Sequence, residues 1–312
     1  MRYGFLILGF PLSVFCGVPG CVVPWDRVAP TESTGVAFRL TYTFTAAGNT
    51  QWVRVAALVP TTIPQRQTVS DVRFQPDPVR VFDAGENRYA EFFFPRPRGT
   101  FQVQVTGQAR LFRADLSVAR AGRARPHSAG LRPCLASEPS LEADDPAILQ
   151  AAKLLRGPDE LTTLKRTYDF VLRHITYAGP DLSWEGGGAV KALQTRKGDC
   201  TEYTDLMVAL CRANGIPARH VLGLDAAPDT PTRQHAWPEA FTRKHGWVSF
   251  DPTFDACTKA ATFEKLSPRY LRFSAVRNDQ VMENYNSYLM YRYWGDPVAL
   301  REEYDIRPAL HR

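Results

Sequence analysis

In the stretch KGDCTEYTDLMVALCRANGIPAR, residues 197–219, Cys200 stands where a predicted helix begins. Gly198 and Asp199 open that helix and Gly215 closes it, so Cys200 falls in the first turn. Unpaired backbone N–H groups and the positive end of the helix dipole gather there, and both stabilise a thiolate. Position alone does not activate a cysteine; a nucleophile also needs a base from elsewhere in the chain. Cys211, in the third turn beside the apolar stripe of Tyr203, Leu206, Met207 and Leu210, reads instead as a small core residue.

The candidate base lies in QHAWPEAFTRKHGWVSFDPTF, residues 234–254, where two strand-like runs flank a polar turn. With Arg243 at the centre of the hairpin, His235 stands directly opposite Asp251 on the same face. The Cβ atoms of such a pair are roughly 4.5 to 5.5 Å apart, close enough for a carboxylate to hold an imidazole. A slip of one residue would send Asp251 to the other face. Trp237, Glu239, Phe241, Trp247 and Ser249 share the face, and the aromatic residues among them can shield the pair from water. Pro238 lacks a ladder donor, so its nitrogen must point away from the partner strand or mark a bulge.

These elements need a scaffold, and 312 residues are enough for two domains of ordinary size. From Val36 to Phe112 the pattern is that of strands: VAFRLTYTFTA alternates, WVRVAALVP and VRVFD are rich in β-branched residues, and YAEFFFP and FQVQVTG follow turn-forming clusters. The expected architecture is α+β, with an antiparallel, sandwich-like β-domain over 30–115. A basic linker over 116–140 leads to a catalytic domain over 141–312 that includes a C-terminal extension. PAILQAAKLLRG and DELTTLKRTYDFVLRHITY carry helical spacing, the second opened by Asp159 and Glu160. Gly186-Gly187-Gly188 reads as a loop, and the tyrosine-rich segment after Thr253 is expected to pack back on the core.

Composition narrows the function classes. With 44% hydrophobic and 22% charged residues the chain is globular. The net charge of +6 gathers in ARLFRADLSVARAGRARPHSAGLRP, residues 109–133, which has no aromatic platform after Phe112 and matches no nucleic-acid motif; a solvated linker is expected and nucleic acid is not. Residues 1–21 combine an arginine, a short apolar run broken by Pro11 and small residues, which reads as a secretory signal and implies a periplasmic, extracellular or lipoprotein location. Val18-Pro19-Gly20-Cys21 resembles a lipobox, which would attach Cys21 to a membrane, although proline before the glycine departs from that motif. Export favours a disulfide among Cys134, Cys211 and Cys257. No metal-ligand spacing occurs, and no cofactor is expected.

Gly198-Asp199-Cys200, then Gly215-Ile216-Pro217-Ala218-Arg219, then His235-Ala236-Trp237, and finally Trp247 to Thr253 together resemble the transglutaminase-like superfamily, in its bacterial, papain-like form. The likeness covers about residues 145 to 255, in the family's order. It implies Cys200 as nucleophile, His235 as general base and later acid, and Asp251 as the carboxylate that fixes the imidazole. His220 and His245 match no family position and are expected near the surface. The N–H of Cys200 is one oxyanion donor; Gln194 and Trp184 are candidates for a second. The implied reaction is acyl transfer through a thioester on a protein or peptide substrate, with hydrolysis the expected outcome. Protein-glutamine cross-linking and a non-catalytic binding module of the cell envelope are the alternatives.

Overall fold

The computed structural model describes residues 32–116, 129–179, 187–227 and 232–309. The N-terminal part supplies β1 (Ser33–Ala46), β2 (Trp52–Val59), β3 (Gln67–Gln75), β4 (Arg80–Ala84), β5 (Asn87–Pro95), β6 (Gly99–Phe112) and the short β7 (Ala114–Asp115). The middle supplies α1 (Pro146–Leu155), α2 (Glu160–His174), β8 (Thr176–Tyr177), α3 (Gly188–Thr195), β9 (Lys197–Gly198), α4 (Cys200–Ala213), β10 (Ala218–Asp225), β11 (Arg233–Thr242), β12 (Gly246–Ser249), α5 (Pro252–Thr258), β13 (Lys265–Leu266) and β14 (Tyr270–Ser274). Two strands close the chain, β15 (Leu289–Trp294) and β16 (Val298–Pro308).

Alternation along β1 buries Val36, Phe38, Leu40, Tyr42 and Phe44 in one core with the apolar residues of the neighbouring β6 and of β2 and β5. The result is a β-sandwich of two antiparallel four-stranded sheets, ordered β16-β1-β6-β3 and β15-β2-β5-β4. Its last two strands come from the far end of the chain, with Phe38 paired to Ile306 and Val55 to Tyr291. The expectation that 141–312 forms one domain is therefore corrected: the C-terminal extension completes the sandwich. Apolar residues on alternate positions, such as Tyr291 and Leu300, pack on the sandwich core and explain why the segment pairs there. The strand β3 was also not anticipated, because its polar run QTVSDVRFQ lacks an unbroken apolar face.

The expected linker ends sooner than 140. Residues 129–135 form a 3-10 helix whose Leu131 and Cys134 pack under Phe241 and Trp247, while 117–128 lie outside the described residues. β7 pairs with β13, a second tie between the sandwich and the helical part.

The helical part is built around α4. Asp145 caps α1 by accepting the Ala147 N–H at 2.8 Å, and Asp159 caps α2 through the Thr162 N–H at 2.8 Å. Both helices and α3 pack on α4, with a sheet ordered β12-β11-β10-β14 completing the enclosure. All residues of α4 from Glu202 to Arg212 are buried, so the expected stripe is a full cylinder. Its polar members are each bonded: Asp205 to His220 at 2.7 Å, and Arg212 to the Ala218 carbonyl at 2.9 Å and to Glu138 at 2.7 Å. A helix enclosed on every side gives a fixed platform to whatever stands at its first turn.

Candidate active site

Asp199 is the N-cap of α4, and its carboxylate accepts the Thr201 N–H at 2.7 Å while Glu202 reaches back to the Asp199 N–H at 3.0 Å. This capping box fixes the turn that carries Cys200. Gly198 is required beside it, since a Cβ there would lie 2.3 Å from the Glu202 Cβ. Gly198→Ala is expected to displace Glu202 and destabilise the chain by about 1 to 2 kcal/mol, readable as a lowered denaturation midpoint in urea.

His235 lies near the start of β11, and its Nε2 donates to Asp251 Oδ2 across 2.7 Å. Cys200 stands close enough to the ring to act on its charge. Because Nε2 is committed to Asp251, Nδ1 is the nitrogen that meets the thiol. The His235 side chain is 14% exposed and that of Asp251 1%. Burial opposes charge on the ring, but the adjoining Asp251 carboxylate and Cys200 outweigh it and hold the imidazole well above its usual range. Burial likewise opposes charge on Asp251, yet His235, the Phe254 N–H and the Tyr270 hydroxyl keep its carboxyl below the usual range. The site thus favours an imidazolium beside a carboxylate.

The hairpin that joins these residues differs from the expected register. Glu239 pairs with Ser249 and Thr242 with Gly246, so the centre is Lys244 rather than Arg243. His235 is therefore not directly opposite Asp251; the shift is two residues, and Asp251 remains on the same side. Phe250 donates to the Pro238 carbonyl at 3.0 Å, and Pro238 has no N–H to return the bond. The ladder ends there. Asp251 leaves it to cap α5, its Oδ1 accepting the Phe254 N–H at 2.8 Å. One carboxylate therefore both starts a helix and holds His235.

Several contributors were not singled out by sequence. Tyr270 of β14 donates to Asp251 Oδ2 at 2.7 Å, and its ring stacks on His235 with centroids 6.0 Å apart. Trp237, which the sequence did place on this face as a shield, closes the stack, 6.0 Å from His235 and 5.0 Å from Tyr270. Tyr288, just before β15, accepts the His235 N–H at 3.4 Å and donates to the Gly223 carbonyl. Gln234 donates to Glu302 at 3.0 Å and to Tyr304 at 2.8 Å, both on β16. The sandwich thus grips the strand at Gln234, and Tyr288 holds the His235 backbone, contacts that local patterns cannot reveal.

A buried ion cluster lies farther along the same strand. Glu239 binds Arg219 at 2.7 Å, Arg272 at 3.4 Å, Arg66 at 3.5 Å and the Ser249 hydroxyl at 2.8 Å. Arg219 and Arg272 also hold Glu86 at 2.8 and 2.7 Å. Burial opposes the Glu239 charge, but these arginines draw its carboxyl down to about 2. Arg66 and Glu86 belong to the sandwich, so the cluster locks the two parts together. A cavity of about 20 Å³ between it and the Trp237–Tyr270 pair has room for about one water, not for a substrate.

The structure brings Cys200, His235 and Asp251 together. Gln194 stands exposed on α3, outside that group, and Trp184 lies outside the described residues, as does Cys21. His220 and His245 are not surface residues: they are 1% and 6% exposed, His220 held by Asp205 and His245 facing Thr242 at 3.2 Å. Nor is there the expected disulfide. Cys134 packs with Leu131, Phe241 and Trp247, Cys211 sits in the helical core and Cys257 is exposed, and all are free thiols. Burial pushes the Cys211 thiol up to about 12, as suits a core residue. Among the described residues no group of three or more His, Cys, Asp and Glu stands close enough to hold a metal ion, and no helix is long and apolar enough to cross a membrane.

Residues 150–252, which contain Cys200, His235 and Asp251, match the family model of the transglutaminase-like superfamily. An uncharacterised protein of Mycobacterium tuberculosis is 31% identical over 151 residues, 42% of this chain and 47% of the relative. The chain thus matches about half the length of that relative. A protein-glutamine gamma-glutamyltransferase of Pseudomonas aeruginosa is 38% identical over 69 residues, 19% of this chain and 10% of that protein. Among solved structures, a Cytophaga hutchinsonii protein provisionally named a cysteine protease aligns with a TM-score of 0.66 at 15% identity, covering 91% of this chain and 93% of its own. At that identity the likeness establishes the fold.

Proposed function

With residues 150–252 forming a transglutaminase-like core, we propose that the chain is an exported enzyme that transfers acyl groups from peptide or amide bonds to water through a thioester on Cys200. The observation that carries this reading is the His235–Asp251 pair set beside Cys200 at the head of an enclosed helix. The Cys200 thiolate attacks the carbonyl carbon, and electrons pass to the carbonyl oxygen. As the C–N bond breaks, the His235 imidazolium gives its proton to the leaving amine, leaving a thioester and a neutral ring. That ring then takes a proton from the attacking water, the C–S bond of the thioester breaks to release a carboxylic acid, and the Cys200 thiolate and His235 imidazolium are restored. Asp251 stays ionised throughout and holds the imidazolium. The Cys200 N–H, on the first residue of α4, is a donor for the oxyanion.

An amine in place of water would make the second half-reaction a transamidation, the activity named for the Pseudomonas relative. The test is to incubate the chain with peptides containing glutamine and other amides, with and without a primary amine, and to read products and the protein by mass spectrometry. The expected result is an acyl adduct on Cys200 and acid products, both absent in Cys200→Ala. Cys200-dependent amine conjugates in excess of acid would shift the reading to transamidation. No Cys200-dependent product with any peptide would overturn it in favour of a binding module.

A further inference from the structure

We propose that Tyr270 is a positioning residue of this site: its hydroxyl takes a share of Asp251 Oδ2 and so governs how firmly that oxygen holds the proton on His235. The inference rests on the proposed chemistry at Cys200 and assigns a residue that the reaction itself does not require.

Asp251 has two oxygens and three donors. Oδ1 accepts the Phe254 N–H at 2.8 Å, whereas Oδ2 accepts both His235 Nε2 and the Tyr270 hydroxyl, each at 2.7 Å. Two donors on one oxygen divide its charge, and each weakens the hold on the other. A carboxylate bound by His235 alone would keep the imidazolium proton more tightly and make it a poorer acid toward the leaving amine. Tyr270 itself remains a donor, because burial and the facing Asp251 carboxylate hold its phenol well above the usual range.

The fold goes out of its way to deliver this hydroxyl. β14 is not beside β11, since β10 runs between them. The crossing is made at Gly223, opposite His235 in the β10–β11 register, where a Cβ would lie 2.3 Å from the Leu271 carbonyl oxygen and 2.4 Å from the Trp237 ring. Without a side chain at Gly223, Trp237 and β14 close over β10 and Tyr270 stacks on the imidazole. The other titratable or charged groups whose field reaches the pair are Cys200 on α4, Cys257 on α5, Tyr168 on α2, Tyr288, and Arg269, which is itself bound to Asp225 of β10 at 2.6 Å. Tyr270→Phe alters none of them and keeps the stacked ring.

The experiment follows the His235 ring by ¹⁵N NMR titration in the full chain, with iodoacetamide as the probe of Cys200. In Tyr270→Phe the midpoint of His235 is expected to rise by roughly one pH unit, with Cys200 still alkylating readily at mildly acid pH. A more acidic donor at the same place, 3,5-difluorotyrosine at position 270, is expected to move the midpoint the other way while leaving the packing unchanged. A role in packing alone predicts no opposed pair of shifts. An unmoved midpoint in both variants, or shifts of the same sign, overturns the proposal. Failure of the proposed function would look different, because Cys200 in the unaltered chain would then alkylate no faster than Cys257.

Discussion

Asp251→Asn is expected to lower turnover by about a thousandfold to ten-thousandfold while the chain stays folded. Asparagine caps a helix as well as aspartate does, so α5 should keep its first turn and the Phe254 N–H its partner. What is lost is the negative charge that keeps the imidazole protonated against burial. The linkage has a definite sign. The raised imidazole of His235 adds stability that is complete below its unfolded value, about 6.5, and is lost as pH climbs through the folded value. The depressed carboxyl of Asp251 adds stability that is complete above its unfolded value, about 3.9, and is lost as pH falls through the folded value. The pair therefore stabilises most fully between about pH 4 and 6.5, and urea midpoints measured across pH should show the Asn variant losing most in that window. Equal turnover in the two proteins would remove Asp251 from the mechanism.

Glu239→Gln is expected to destabilise the chain by about 3 to 5 kcal/mol, since it leaves buried arginines without their central counter-charge. The volume is nearly unchanged, so packing is not the cause. Arg219 and Arg272 would keep Glu86, at 2.8 and 2.7 Å, but they would then share that one carboxylate, and Arg66 would lose the Glu239 charge it faces at 3.5 Å. Because Arg66 and Glu86 come from the sandwich and Glu239 from β11, loss of the cluster should also loosen the grip on that strand. Chemical denaturation followed by fluorescence reads the first effect. A change smaller than about 1 kcal/mol would mean that the cluster adds specificity of docking rather than stability.

Local signals were legible where the physics is local. The cap at Asp199, the helix behind it with its apolar stripe and the order of the three blocks follow from residue types a few positions apart, whereas the burial of the other faces of that helix does not. The face shared by His235 and Asp251 was also legible, because strand parity survives an even slip. The register itself was not. It depends on where the ladder stops, and that stop is set by Pro238 and by the competing demand of α5 for a cap. Tyr270, Tyr288 and Tyr304 escaped notice for another reason: aromatic residues in strands look alike in sequence, whether they fill a core or carry a hydroxyl to a site. The burial of His220 depends on Asp205, a polar residue on a helix whose every face is covered. The last two strands escaped as part of the sandwich because their partners lie more than two hundred positions upstream.

Everything proposed for this site requires Cys200 to be a nucleophile that the neighbouring His235 ring activates. Reacting the chain with iodoacetamide at about pH 6, where an unassisted thiol is almost wholly protonated, and mapping the label tests this most directly. Rapid labelling at Cys200, slow labelling at exposed Cys257, and loss of the difference in His235→Ala are the predicted results. Equal, sluggish reaction at Cys200 and Cys257, unchanged by His235→Ala, would contradict the account.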